Sequence, residues 1–229
     1  LFNLFIHELL NKIDNIIGFA DDIIIYHSDN KIEKINENLQ NYFNLVQKYA
    51  LDWQMKINFN KCETILFRHP VGKCNYNIKK NWKKFGIISN SNIQIPNKDV
   101  VKYLGIYLDK FLYFNNHINL QLIKARNAFF IYKKLFFSKY IKHKVKVLLY
   151  QSLIRPILTY GCQIWFNISP SYMEKIRIFE RKCLRGCTSL YRSPNSDYKK
   201  FISNKILYNV AKISRNDNFI HSFNSKPHY

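Results

Sequence analysis

The sequence predicts an α+β fold, with hairpins and helices mixed over residues 1–114 and helices alone from 115 onward. Three patterns carry that expectation. Two β-forming runs, Ile16-Ile17-Gly18 and Ile23-Ile24-Ile25-Tyr26, flank a tight turn. Apolar residues recur at spacings of three and four over 31–51. From His117 the apolar period becomes helical and stays so.

The elements follow in order. Phe2, Phe5, Ile6, Leu9, Leu10 and Ile13 sit at helical spacing, so the chain opens on a helix. The hairpin comes next, and Ser28 or Asp29 is a candidate cap for the helix over 31–51. Ile57-Asn58-Phe59-Asn60 is a turn into a strand at Glu63–Arg68. Residues 70–98, rich in Asn, Lys, Pro and Gly, make loop and hairpin with a weak strand at Ile93–Ile95. A strand over Tyr103–Leu108 turns Leu104, Ile106 and Leu108 to the core. Helices over 117–137, 143–155 and 170–187 are separated by Pro156 and Pro170 as breakers.

The tip of the first hairpin, Phe19-Ala20-Asp21-Asp22, is the chemical signal. An Asp pair repels itself and lacks the φ > 0 tolerance of an Asn-Gly turn. A divalent cation resolves that conflict, because Mg²⁺ prefers carboxylate oxygens. Two metals about 4 Å apart can clamp the attacking and leaving oxygens of phosphoryl transfer. The plain alternative is an acidic surface turn.

Composition bounds the partners. The net charge is +21, yet residues 1–60 hold 5 Lys against 8 Asp or Glu, whereas 61–229 hold 31 Lys or Arg against 7. An acidic front with a carboxylate pair and a basic back suit a metal site beside a phosphate-binding surface. Only 8 of the 36 basic residues are Arg, and AT-rich codons would also enrich Lys. Arg177, Arg181 and Arg185 escape that discount and recur every four residues on one helix face, a candidate nucleic-acid contact or a solvated stripe. No apolar run approaches the ~18 residues that span a bilayer. The start carries no initiator Met and no signal-peptide pattern, which suggests a piece of a longer protein. Cys62, Cys74, Cys162, Cys183 and Cys187 form no C-x-x-C pair, so free buried thiols are expected rather than zinc or disulfides.

The order of motifs resembles the reverse transcriptases of non-LTR, LINE-type retrotransposons, particularly jockey-like elements. Phe19-Ala20-Asp21-Asp22 is followed by a helix, then Trp53-x-x-Lys56-Ile57-Asn58-x-Asn60-Lys61-Cys62-Glu63-Thr64, then Lys102-Tyr103-Leu104-Gly105-Ile106-x-Leu108-Asp109. Leu1–Ile6, the segment Tyr150–Gly161 and Arg181–Arg185 extend the likeness over residues 1–190. The resemblance implies a partial polymerase palm, an antiparallel sheet with helices over 1–114, then an all-α thumb over 115–190. Residues 191–229 take no role from it. It makes Asp21 and Asp22 metal ligands for two Mg²⁺ ions, places Lys61 near the nucleotide phosphates, and makes Lys102, Tyr103, Leu104 and Gly105 the hairpin that grips the primer end. It implies an RNA template, a DNA primer and dNTPs as partners, no membrane, and work in cytoplasm and nucleus. A further palm Asp and the fingers lie upstream in such enzymes, so this chain alone is expected to be inactive. Two other readings stay open: a non-catalytic nucleic-acid-binding remnant, and a group II-type maturase.

Overall fold

Helix-spaced Leu9 and Ile13 have to be buried, and they are, against Val46 and Tyr49 of the second helix, with Ile16, Ile23 and Ile25 packed alongside. This is the core of the first unit in a computed structural model that describes residues 2–68, 85–192 and 201–222. Expectations for the rest, including Cys74 and much of the 70–98 loop, lie outside the described residues. The chain divides into two compact units, Leu1–Val101 and Lys102–Tyr229. Helices and two-stranded antiparallel sheets make it α+β.

In the first unit α1 (Phe2–Lys12) leads into β1 (Ile16–Phe19) and β2 (Asp22–Ile25), paired from Ile16↔Ile25 to Phe19↔Asp22. Helix α2 runs Ile32–Asp52. Neither expected side chain caps it: Lys31 is the cap residue, and Asp29 accepts the Lys31 N–H at 2.8 Å in a turn just before it. Strands β3 (Ile87–Ile88) and β4 (Gln94–Ile95) form a short hairpin. The Gln40 side chain brackets Ile88, accepting its N–H at 2.9 Å and donating to its carbonyl at 2.7 Å. The strand expected at Glu63–Arg68 is a single bridge, Thr64↔Asn97. Pro96 beside it has no N–H with which to extend a ladder.

In the second unit the expected single strand Tyr103–Leu108 is a hairpin instead, β5 (Val100–Tyr103) and β6 (Ile106–Asp109), with the division between units falling inside β5. Helices follow: α3 (Asn115–Ile131), α4 (Lys133–Phe137), α5 (His143–Leu149), α6 (Arg155–Thr159), α7 (Cys162–Trp165), α8 (Pro170–Thr188), α9 (Asn204–Ala211) and α10 (Asn216–Ser222). Pro156 does not break the path between α5 and α6. A wide π turn over Tyr150–Ile154 precedes it and leaves Pro156 in the first turn of α6, where a missing N–H costs nothing. Asp109 closes β6 by accepting N–H groups from Phe111, Tyr113 and Phe114, which starts α3.

The unit's core gathers Ile118, Leu122, Phe129, Phe136, Tyr150, Trp165 and Leu184 among others. Inside it lies a buried polar network. Glu180 accepts from Tyr208 Oη at 2.7 Å, the Asn216 N–H at 3.0 Å and Arg155 at 3.3 Å. Arg155 also donates to Asn216 Oδ1 at 2.7 Å and to the Ser214 carbonyl, and covers the Phe219 ring. Buried groups need such partners, and here they tie α9 and α10 to α8. Cys162, Cys183 and Cys187 are buried free thiols; burial pushes Cys187 up to about 12, so it is inert. Among the described residues no helix is long and apolar enough to cross a membrane.

Candidate functional site

Four residue groups were expected to carry function, and the fold treats them differently. The first is the Asp pair. Ala20 and Asp21 are the two loop residues between β1 and β2, and Asp22 is the first residue of β2. Ala20 sits at φ 52°, the left-handed region, while Asp21 does not. That is the pattern of a II′ turn, whose first central position normally takes Gly. Holding Ala there costs about 1 kcal/mol or more. The turn therefore presents two consecutive, exposed carboxylates. Neither has a hydrogen-bond or ion-pair partner among the described residues. Oxygen donors of this kind suit a hard divalent cation. They are not sufficient alone: the described residues hold no group of three His, Cys, Asp or Glu placed to share an ion.

The hairpin's two faces differ. Ile16, Ile23 and Ile25 pack on the core, and a Cβ on Gly18 would meet Leu10 at 3.1 Å. The opposite face exposes Ile17 at 51% and Phe19 at 61%, next to Asp22. A lone two-stranded hairpin with an uncovered apolar face is a partial sheet.

Lys61 closes a short 3₁₀ turn, Phe59–Lys61, and its side chain is exposed. An open recess of about 510 Å³, lined by Lys56 to Asn60 and Ile93, lies at the same turn.

Lys102, Tyr103, Leu104 and Gly105 are brought together at the β5–β6 turn, with Lys102 and Leu104 exposed. Leu104 (φ 44°) and Gly105 (φ 81°) both take left-handed conformations, the requirement of a I′ turn. Leucine is a poor residue for that position, and the helical part of the unit holds it there. Tyr160 Oη donates to the Leu104 carbonyl at 2.7 Å, and a Cβ on Gly105 would lie 3.1 Å from the Tyr160 ring. The Tyr160 carbonyl in turn accepts from Trp165 Nε1 at 2.8 Å and lies 3.3 Å from His117 Nε2. His117 Nδ1 receives the Tyr107 N–H at 3.4 Å, so the ring is neutral with its proton on Nε2; burial lowers its pKa accordingly. Gly161 (φ 67°) completes the clamp, because a Cβ there would come within 2.7 Å of Ile106. Sequence reasoning missed His117 and Tyr160 as supports of this turn. The Tyr-Gly at the end of the Tyr150–Gly161 segment was the available signal, but its partner lies 56 residues away.

The arginine stripe is half-buried and engaged by partners within the unit. Arg177 pairs with Asp217 at 2.7 Å and Glu174 at 3.4 Å, and Arg181 with Glu174 at 2.5 Å. Arg185 donates to the carbonyls of Leu190 and Ile202 and to Asn204. These guanidiniums hold α10 and the segment after α8 in place. Their partners are internal anions and carbonyls, while Arg181 and Arg185 also line an open groove of about 330 Å³.

Comparison with known proteins supplies the context for these turns. Residues 1–108 match the family described as reverse transcriptase (RNA-dependent DNA polymerase). The chain is 31% identical over 188 residues to the RNA-directed DNA polymerase from mobile element jockey of Drosophila melanogaster, covering 78% of this chain and 19% of that protein. The jockey polymerase of Drosophila funebris is 27% identical, covering 74% of this chain and 18% of its own. A probable RNA-directed DNA polymerase from transposon X-element of Drosophila melanogaster is 24% identical, covering 76% and 18%. The chain thus spans about a fifth of the length of the curated relatives it matches. No solved structure matches it. With the Asp-Asp hairpin and the Tyr-Leu-Gly turn both inside the matched stretch, residues 1–108 carry the reverse transcriptase match, and the chain is similar to the RNA-directed DNA polymerases of jockey-type mobile elements.

Proposed function

We propose that residues 1–229 are the C-terminal half of a palm and a thumb in an RNA-directed DNA polymerase that adds dNTPs to a primer 3′-hydroxyl on an RNA template. The observation that carries this reading is the strained β1–β2 turn. It displays two adjacent carboxylates with no cation to answer them among the described residues. In this reading residues 1–114 are palm, 115–190 thumb, and 191–229 have no assigned role.

Asp21 and Asp22 would hold Mg²⁺ jointly with a ligand from outside the described residues. Bound there, two such ions neutralise phosphate charge and activate the attacking hydroxyl. The apolar face of Ile17 and Phe19 beside Asp22 is the surface on which a further palm segment would pack. Lys61 would bring an ammonium to the leaving pyrophosphate, where a charge-assisted hydrogen bond stabilises the departing oxygens. The Lys102–Gly105 turn would hold the primer end, with the exposed Lys102 toward phosphate and the Gly105 backbone close to the strand. The experiment is RNA-templated dNTP incorporation by a polymerase that contains residues 1–229. Activity that survives loss of the Asp21 carboxylate sinks the reading.

Tyr160 acts in this scheme as a positioning residue. Tyr160→Phe keeps the ring against Gly105 and deletes only the hydrogen bond to the Leu104 carbonyl, worth ~0.5–1.5 kcal/mol. In that polymerase the KM for primer–template is expected to rise severalfold with kcat nearly unchanged, beside a Tm lower by about 2–4 °C. Steady-state kinetics beside a thermal melt checks this. A fall in Tm with no change in KM would leave Tyr160 a purely structural residue.

A further inference from the structure

A second concentration of positive charge precedes the arginine stripe in sequence and is not neutralised as the stripe is. From Lys110 to Met173 the sequence holds ten Lys or Arg and not one Asp or Glu. Most of these cations surround the corner where α3 turns through α4 into α5. Arg126, Lys133, Lys134, Lys139, Lys142 and Lys144 are all exposed there. None has an anionic partner among the described residues.

Large apolar side chains stand among these cations. Phe130 is 74% exposed, Ile131 71% and Tyr140 99%. The corner beneath them is well packed: Phe129 stacks on Phe136 with centroids 4.9 Å apart, and Phe137 meets Phe129 edge-on at 6.2 Å. Phe130 therefore projects from a helix whose opposite face is packed in the core. Phe129 and Phe137 also line an open groove of about 330 Å³ with Ile178, Tyr191, Lys182 and the already paired Arg181 and Arg185, so the corner adjoins a cationic, aromatic trough.

We propose that this corner binds an unpaired nucleic-acid strand, with the lysines on successive phosphates and Phe130 and Tyr140 stacked on open bases. Charge complementarity selects a polyanion, and ring exposure selects its form. In a duplex the base faces are stacked on one another, so Tyr140 and Phe130 would gain nothing from it. A single strand offers both phosphates and free base faces. A protein partner fits less well, because interface centres are depleted of charge and here lysines interleave with the rings.

The test is fluorescence anisotropy of the 229-residue chain with oligo(U) or oligo(dT) of about 20 nucleotides, longer than the ~4–16-nucleotide footprint of a single-strand module. An RNA–DNA hybrid of the same length is the comparison. Neither dNTP nor metal is added, so failure here leaves the Asp21 reading untouched. Phe130→Ala and Tyr140→Ala are each expected to weaken single-strand binding about 5- to 150-fold while hybrid binding and Tm stay unchanged. Replacing Lys133, Lys134 and Lys139 with Gln should flatten the log–log salt dependence by about 0.7 for each phosphate no longer neutralised. Equal losses on strand and hybrid would overturn the proposal in favour of a duplex surface. No loss on either would overturn it outright. So would Tyr140-dependent binding to phosphatidylserine vesicles or Tyr140-dependent self-association in place of strand binding.

Discussion

Asp21→Asn, in a polymerase that carries residues 1–229, is expected to lower primer extension at least a hundredfold, about 2.7 kcal/mol of lost transition-state stabilisation. The size of the effect follows from what the side chain does and does not do. Asp21 is exposed at the tip of a two-residue turn and makes no hydrogen bond or ion pair among the described residues. Its amide isostere should therefore leave Tm and hybrid affinity nearly unchanged. Only the negative charge goes, and with it the oxygen donor a divalent cation requires. Single-turnover incorporation beside a thermal melt separates the two effects. A variant retaining more than about a tenth of the activity is too active for a lost metal ligand.

Glu180→Leu is expected to destabilise the second unit by about 3–5 kcal/mol, because it removes one partner of a buried ion pair. The carboxylate is fully buried and receives four donors: Arg155, Tyr150, Tyr208 and the Asn216 N–H. Leucine strands all four, and Arg155 keeps its charge in an apolar surround. Scanning calorimetry of the whole chain should show a fall in Tm on the order of 10 °C. The double variant Arg155→Met, Glu180→Leu should regain part of it, since an apolar replacement of a buried pair is often neutral. Burial raises the Glu180 pKa above its ordinary 4.5. Its contribution is therefore full below 4.5 and declines as pH rises through the folded value, a dependence the Leu variant lacks. A single variant as stable as the parent would mean the network holds nothing.

Much of this was legible in residues near one another in sequence. The Ile-rich runs around Asp21 and Asp22 located the hairpin, and the spacing of Ile32, Val46 and Tyr49 located α2, because both depend on local period. Strain was not legible. Ala20 and Leu104 occupy left-handed backbone normally given to Gly, and Leu104 is held there by Tyr160, a partner 56 residues away that a pattern cannot show. Apolar alternation alone made Tyr103–Leu108 one strand, whereas the family resemblance implied the turn at Leu104 and Gly105 that the fold has. Pro156 reads as a breaker in the sequence, whereas a π turn absorbs it in the fold. The partners of the arginine stripe were not read: Glu174 stands only three residues before Arg177, and Asp217 lies 40 residues on, where only the folded chain brings it in.

The most direct test of the polymerase reading compares two proteins on a primed RNA template with Mg²⁺. One is the 229-residue chain alone; the other is the same chain joined to the preceding part of the Drosophila melanogaster jockey polymerase. No templated incorporation is expected from the first, whose described residues offer a carboxylate pair and no third ligand. Incorporation that depends on Asp21 is expected from the second. Templated synthesis by the isolated chain, or by the joined protein after Asp21→Asn, would refute the reading.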